Sequence, residues 1–144
     1  FITPVHAMRE KDVKLKLIPI KEIINKKRVI IIDDSIVRGT TSKKLVHMVR
    51  NAGAKEVHLL SASPPVKYPD FYGIATPTQQ ELIASQMSVE EIRQFVGADS
   101  LHYLSYNGMI QATGIPEEMF CTSCFTGEYP IEIGENKKNI DFKV

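Results

Sequence analysis

The sequence lacks any run of about 18 or more apolar residues, which a membrane-crossing helix requires, and it has no secretory leader pattern. No long basic stretch is present either. The lysines of "KDVKLK" alternate with apolar residues, which is the wet face of a strand rather than a nucleic-acid footprint, and the formal net charge of the 144 residues is only +1. Two cysteines are too few for a disulfide framework. A Walker loop is missing, because no Gly-Lys-Ser/Thr follows the required spacing, and so is the three-glycine dinucleotide fingerprint. These absences leave a cytoplasmic globular domain with no membrane and no nucleic-acid partner. At 43% hydrophobic and 24% charged, the chain can bury a single core.

What is present is an alternation of strand and helix patterns. Val13, Leu15 and Leu17 alternate with Lys14 and Lys16, predicting a half-buried strand that ends near Pro19. Residues 29–32, Val-Ile-Ile-Ile, form a β-branched run suited to a central strand covered on both faces. In "SKKLVHMVRNAG", Leu45, Val46, Met48 and Val49 share a helical stripe, with Ser42 or Thr41 as N-cap and Gly53 just past the end. "EVHLLS" returns as a strand, completing a βαβ unit. Farther on, Thr78 with Glu81 and Ser88 with Glu91 fit capping boxes, so two short helices are expected, the second stopping before Gly97. "LHYLSY" predicts a short strand and "NGMIQATG" a short helix ending at Gly114. The fold class is α/β.

Between the β-branched run and the first long helix lies "DDSIVRGTTS", residues 33–42. In an open α/β sheet, ligands bind beyond the carboxyl ends of the strands, where loop amides and a helix N-terminus point at them. Asp33 and Asp34 sit at that end. The loop that follows offers backbone N–H groups, a glycine that lets the chain turn closely, and the hydroxyls of Thr40, Thr41 and Ser42. It is a phosphate cradle. Phosphate beside two carboxylates is repelled unless sugar hydroxyls or Mg²⁺ lie between them, so the combination points to a sugar phosphate. An isolated acidic pair before Gly-Thr otherwise does no more than cap a helix.

These residues resemble the phosphoribosyl pyrophosphate (PRPP) motif of type I phosphoribosyltransferases, and "DDSIVRGTTS" is similar to the branch of glutamine PRPP amidotransferases, or amidophosphoribosyltransferases. The resemblance continues through "SPPVKYPDFYGI", "TPTQQELIA", "SVEEIRQFVGADSLHYLS" and "CTSCFTGEYP". It implies a type I phosphoribosyltransferase-like fold, a mainly parallel sheet flanked by helices and incomplete at its N-terminus. Residues 1–144 are then expected to be the C-terminal portion of one phosphoribosyltransferase domain, with the family's glutaminase domain outside this chain. Phe1 to about Arg9 are expected to end the flexible loop that closes over PRPP in relatives. By this resemblance Asp33 and Asp34 hold the ribose hydroxyls and contribute to the Mg²⁺ site, Ser35 assists, and Val37, Arg38, Gly39, Thr40 and Thr41 wrap the 5′-phosphate, with Ser42 completing the PRPP-binding set. No catalytic residue is assigned beyond these.

The implied reaction is displacement of pyrophosphate by glutamine-derived ammonia, giving phosphoribosylamine in the first step of purine synthesis, in a homo-oligomer. Relatives acting on purine bases commonly carry an acid at the position of Val37; ammonia, with a free lone pair, needs no such base. Carrying about half of a transferase site, the chain by itself is expected to be inactive. The alternatives are a non-catalytic PRPP-sensing regulator of the same fold, which would need an attached basic domain to bind DNA, and a nucleobase phosphoribosyltransferase, which Val37 and the C-terminal matches disfavour.

His6, His47, His58 and His102 are dispersed without metal-ligand spacing and are assigned structural or surface roles. Cys121 and Cys124 form a Cys-x-x-Cys pair, which taken alone is compatible with redox, metal-binding or inert roles. Iron–sulfur members of the family have cysteines at this place and a further cysteine where this chain has Asp70, so the pair is read as a remnant and no cluster is expected. A [4Fe–4S] cluster ordinarily takes four thiolates. Full-length protein purified without oxygen should therefore be colourless and free of stoichiometric iron, and a brown preparation with about four irons per chain would overturn the expectation.

Overall fold

Three strands in parallel register set the frame of the protein: β1 (Arg28–Asp33), β2 (Glu56–Ser61) and β3 (Ser100–Tyr103), in the order β1-β2-β3. The computed structural model describes residues 17–72 and 78–133. The helical elements are α1 (Lys21–Ile24) before β1, α2 (Thr40–Asn51) between β1 and β2, a 3₁₀ turn (Gln79–Glu81), α3 (Ile83–Gln86) and α4 (Val89–Val96) between β2 and β3, and α5 (Tyr106–Thr113), a second 3₁₀ turn (Glu117–Met119) and α6 (Ser123–Thr126) after β3. The α/β class, the βαβ unit and the strand at "EVHLLS" follow the sequence reading. The strand predicted at Val13–Leu17 lies almost wholly outside the described residues.

Alternation along the strands sorts their side chains onto two faces. Val57, Leu59 and Leu101 are buried with Val29 and Ile31 beside them, and α2 (Val46, Val49) and α4 (Ile92, Val96) pack over that face. The opposite face is different. Ile30 and Ile32 remain 61% and 72% exposed, so the expectation of a strand covered on both faces is corrected. Both of the longer crossover helices pack on one side, and among the described residues β1 is an edge strand while β2 occupies the centre.

Helix boundaries show which local signals prevail. Ser88 and Glu91 form the predicted capping box, and α4 closes at Gly97 as α5 closes at Gly114. Thr78 forms no such box: Gln79–Glu81 is a 3₁₀ turn without a side-chain cap, followed by the single turn of α3. The reason is competition, because the Glu81 carboxylate accepts a hydrogen bond from Arg38 Nε at 2.8 Å instead of reaching back to the Thr78 amide.

Polar bonds fasten the far end of the sheet. Asp99 Oδ2 accepts from the Val57 amide (2.6 Å) and from Arg50 Nη2 (2.8 Å), and Arg50 also donates to the Gly97 carbonyl. The Val57 amide, with Arg50, holds the Asp99 carboxyl below its ordinary range. On the open face, Glu56 joins Arg28 (2.5 Å) to His58 (3.2 Å), and His58 hydrogen-bonds Ser100 (2.8 Å), which stitches all three strands together.

Tyr103 ends β3 with a hydroxyl that is buried and has no hydrogen-bond partner among the described residues. Burial pushes this phenol up to about 12, against about 10 in an unfolded chain. Between those values the unfolded state has released a proton that the folded state keeps, so stability falls as pH rises through that window. Tyr103→Phe should raise stability at neutral pH by about 1 kcal/mol and flatten the alkaline decline in urea-denaturation midpoints. A less stable Tyr103→Phe protein would show that the hydroxyl has a partner.

Candidate functional site

The parallel register aligns Asp33 with Ser61 and Ser61 with Tyr103 at the carboxyl edge of the sheet, the side on which α/β ligands bind. Asp33 belongs to the same alternating set as Val29 and Ile31 and is half-buried, whereas Asp34 is exposed. Burial raises the Asp33 carboxyl above its ordinary value; the Asp34 amide, 3.1 Å from Oδ1, opposes the rise and the neighbouring Asp34 charge adds to it. A carboxylate held this way gains from a cation or from hydroxyl donors. Ser35 Oγ donates to Asp34 Oδ1 at 3.1 Å, so the three residues form one connected oxygen-rich group. Its donors suit a hard cation such as Mg²⁺ that arrives with phosphate oxygens and water, which typically takes only one or two protein carboxylates. Among the described residues no cluster of three or more His, Cys, Asp or Glu side chains is placed to hold a metal alone.

After the acids the chain dips into the core at Ile36, which is fully buried, comes partly to the surface at Val37 and Arg38, and is buried again at Gly39. Gly39 is the N-cap of α2, in the left-handed conformation with φ 73°. The expected capping by Thr41 or Ser42 is therefore corrected: the helix begins at Thr40, and no side chain caps it. Its first-turn N–H groups lie at the positive end of a 12-residue helix with no acid in its first turn, a setting that suits an anion. Starting two residues earlier than a Thr41 cap would set also turns Ser42 inward. At 2% exposure it shares the buried stripe of Val46 and Val49, so its hydroxyl is in the packed interior rather than on the loop surface. Thr40 and Thr41 stay partly exposed.

The far wall of the loop was not legible as such. The Ile83 amide donates to the Val37 carbonyl (2.9 Å), Glu81 pairs with Arg38 (2.8 Å), and Gly39 lies against Ile83 and Phe95. Lys43 stands over the Phe95 ring, 4.4 Å from its centre. Ile36, Glu81, Ile83 and Phe95 were missed. A lone isoleucine in a polar loop was a usable signal for Ile36, while the capping-box pattern at Thr78 concealed the real partner of Glu81.

The Cys-x-x-Cys pair lies elsewhere, at the start of α6. Cys121 is exposed, its Sγ 3.2 Å from Ser123 Oγ, and Cys124 is half-buried. Burial first, then the nearby Asp70 charge, pushes the Cys124 thiol up, the opposite of an activated thiolate. Asp70 is buried and accepts from the Tyr72 amide at 2.8 Å. The Cys124 carbonyl accepts from the Lys67 and Tyr68 amides, and the Tyr129 hydroxyl donates to the Pro69 carbonyl, so this segment clips the 67–72 loop in place. His58 serves the strand network, and His47 and His102 are exposed; His6 lies outside the described residues.

A Cβ on Gly39 would stand 2.8 Å from Ile83 Cδ1 and 3.2 Å from Phe95 Cε1, on a backbone that L-residues rarely adopt. Gly39→Ala should cost about 1–2 kcal/mol for the left-handed residue, with further loss from displaced neighbours, read as a lowered thermal midpoint. An unchanged midpoint would mean that the joint is not under this constraint.

No protein-family model matches the chain. The amidophosphoribosyltransferase of Synechococcus elongatus is 54% identical over 138 residues, which is 96% of this chain and 28% of that protein. Chloroplastic amidophosphoribosyltransferase 1 of Arabidopsis thaliana is 49% identical over 95% of this chain and 24% of its own length. The solved structure of glutamine PRPP amidotransferase from Bacillus subtilis, complexed with ADP and GMP, superposes with a TM-score of 0.79 at 50% identity, covering 94% of this chain and 31% of that one. The chain thus spans about a quarter to a third of the relatives it matches. Along nearly its whole length, with the parallel sheet and flanking helices of the type I phosphoribosyltransferase fold, it is a homologue of one segment of the amidophosphoribosyltransferases.

Proposed function

We propose that the chain is the C-terminal portion of the phosphoribosyltransferase domain of an amidophosphoribosyltransferase, one that makes phosphoribosylamine from PRPP and glutamine-derived ammonia as a step of purine synthesis. The observation that carries this reading is the pairing, at one sheet edge, of two adjacent carboxylates with an uncapped helix N-terminus over Arg-Gly-Thr-Thr. Asp33 and Asp34 receive the ribose hydroxyls and, with PRPP bound, its accompanying Mg²⁺, which neutralises charge on the departing pyrophosphate. Val37, Arg38, Gly39, Thr40 and Thr41 surround the 5′-phosphate, chiefly through backbone N–H groups and the helix dipole. Ser35 orders Asp34, and Ser42 acts from within the core.

On this reading the working enzyme is a longer, homo-oligomeric polypeptide that includes a glutaminase domain, and it acts in the cytoplasm or an equivalent soluble compartment. Among the described residues no helix is long and apolar enough to cross a membrane. The chain by itself holds only part of the donor set that catalysis needs where charge develops.

In the full-length protein, Asp33→Asn or Asp34→Asn should weaken PRPP use by about 1.5–3 kcal/mol per charge-assisted hydrogen bond lost, with the fold retained by circular dichroism. Wild-type PRPP kinetics in the double variant would sink the assignment.

A further inference from the structure

The segment Thr78–Ala84 is part of a motif, "TPTQQELIA", that the proposed chemistry leaves without a role. Its contacts supply one. Ile83 holds the Val37 carbonyl through its amide, Glu81 holds the Arg38 guanidinium through Nε, and the Ile83 side chain lies against Gly39. Three consecutive residues of the loop are thus gripped by two residues of one short element. That element is itself fixed, since Leu82, Ile83 and Ala84 are buried and the Ser85 hydroxyl donates back to the Gln79 and Leu82 carbonyls.

We propose that Glu81 is a positioning residue for the phosphate loop, which sets the Arg38 guanidinium by taking its Nε–H and leaves the two terminal NH₂ groups directed to an anion. The inference rests on the reading of residues 37–41 as the cradle of the PRPP 5′-phosphate. Arginine suits the task because its planar fork divides its donors between two acceptors. The pair contributes little to folding, because the Arg38 and Glu81 side chains are 32% and 52% exposed and ion pairs this open are worth little. Orientation is what remains for it to provide.

The test uses the full-length enzyme. Glu81→Ala should raise the KM for PRPP about tenfold, the scale of one charge-assisted hydrogen bond, with kcat within about twofold and an unchanged thermal midpoint. Glu81→Gln keeps an acceptor oxygen for the Nε–H and should restore most of the affinity. In an Arg38→Ala background, Glu81→Ala should add no further loss, because the residue acts through the guanidinium. An unchanged PRPP KM in Glu81→Ala, or an equal additional loss on top of Arg38→Ala, overturns the proposal. Asp33→Asn in the same assay separates the two levels. If it raises the KM while Glu81→Ala does not, the positioning role is wrong and the PRPP reading stands; if neither changes the KM, the reading of the site fails and the positioning role fails with it.

Discussion

Everything near the site is referred to the left-handed joint at Gly39. With φ 73° and two side chains, those of Ile83 and Phe95, closing the space where a Cβ would stand, the backbone has one way to pass from β1 into α2. That passage decides where the helix begins. It places the first free N–H groups above the strand edge and turns Ser42, Val46 and Val49 toward the sheet. The packing of α4 and the height of the loop at residues 37–39 are therefore one constraint seen from two sides, because Phe95 comes from α4 and Ile83 from the element just before it. A loop shaped by the core in this way is pre-organised, so less ordering has to accompany ligand capture.

The two ends of α2 divide the work. At its C-terminal end, Arg50 reaches the Gly97 carbonyl and Asp99, and Asp99 in turn takes the Val57 amide, so helix, strand and the end of α4 are tied through one carboxylate. At its N-terminal end no side chain caps the helix. A protein could cap that end with serine or aspartate and gain about 0.5–2 kcal/mol. The absence of such a cap here, beside the half-buried Asp33 carboxyl that burial raises above its ordinary range, is the kind of local inconsistency that marks function rather than folding.

Much of this was legible from residues alone, for identifiable reasons. The β-branched run, the Leu45–Val49 stripe, the Ser88–Glu91 box and the glycines at 97 and 114 are local signals, and local interactions realise them. The placement of Asp33 and Asp34 at a carboxyl edge followed from topology, since a strand-loop-helix unit admits few alternatives. What was misread depended on partners distant in sequence. Thr78 lost its box because Glu81 meets Arg38, 43 positions away. Ser42 turned inward because Gly39 took the cap, and the exposure of Ile30 and Ile32 depends on which side both crossover helices choose. Periodicity shows that a strand is apolar on two faces but not which layer meets each of them.

The face bearing Ile30 and Ile32 has a consequence for the chain as a substance. Burying an aliphatic side chain of this size is worth about 1.5–3 kcal/mol, a gain that a complementary surface sets against the entropy lost on association. Beside them, β1 is the outer strand of the sheet among the described residues, and outer strands offer backbone groups to any extended chain that approaches. The covered face makes the sheet fold, while the bare face makes it adhesive. Two exposed isoleucines on one face of an outer strand are therefore the part of this sheet that water solvates least well.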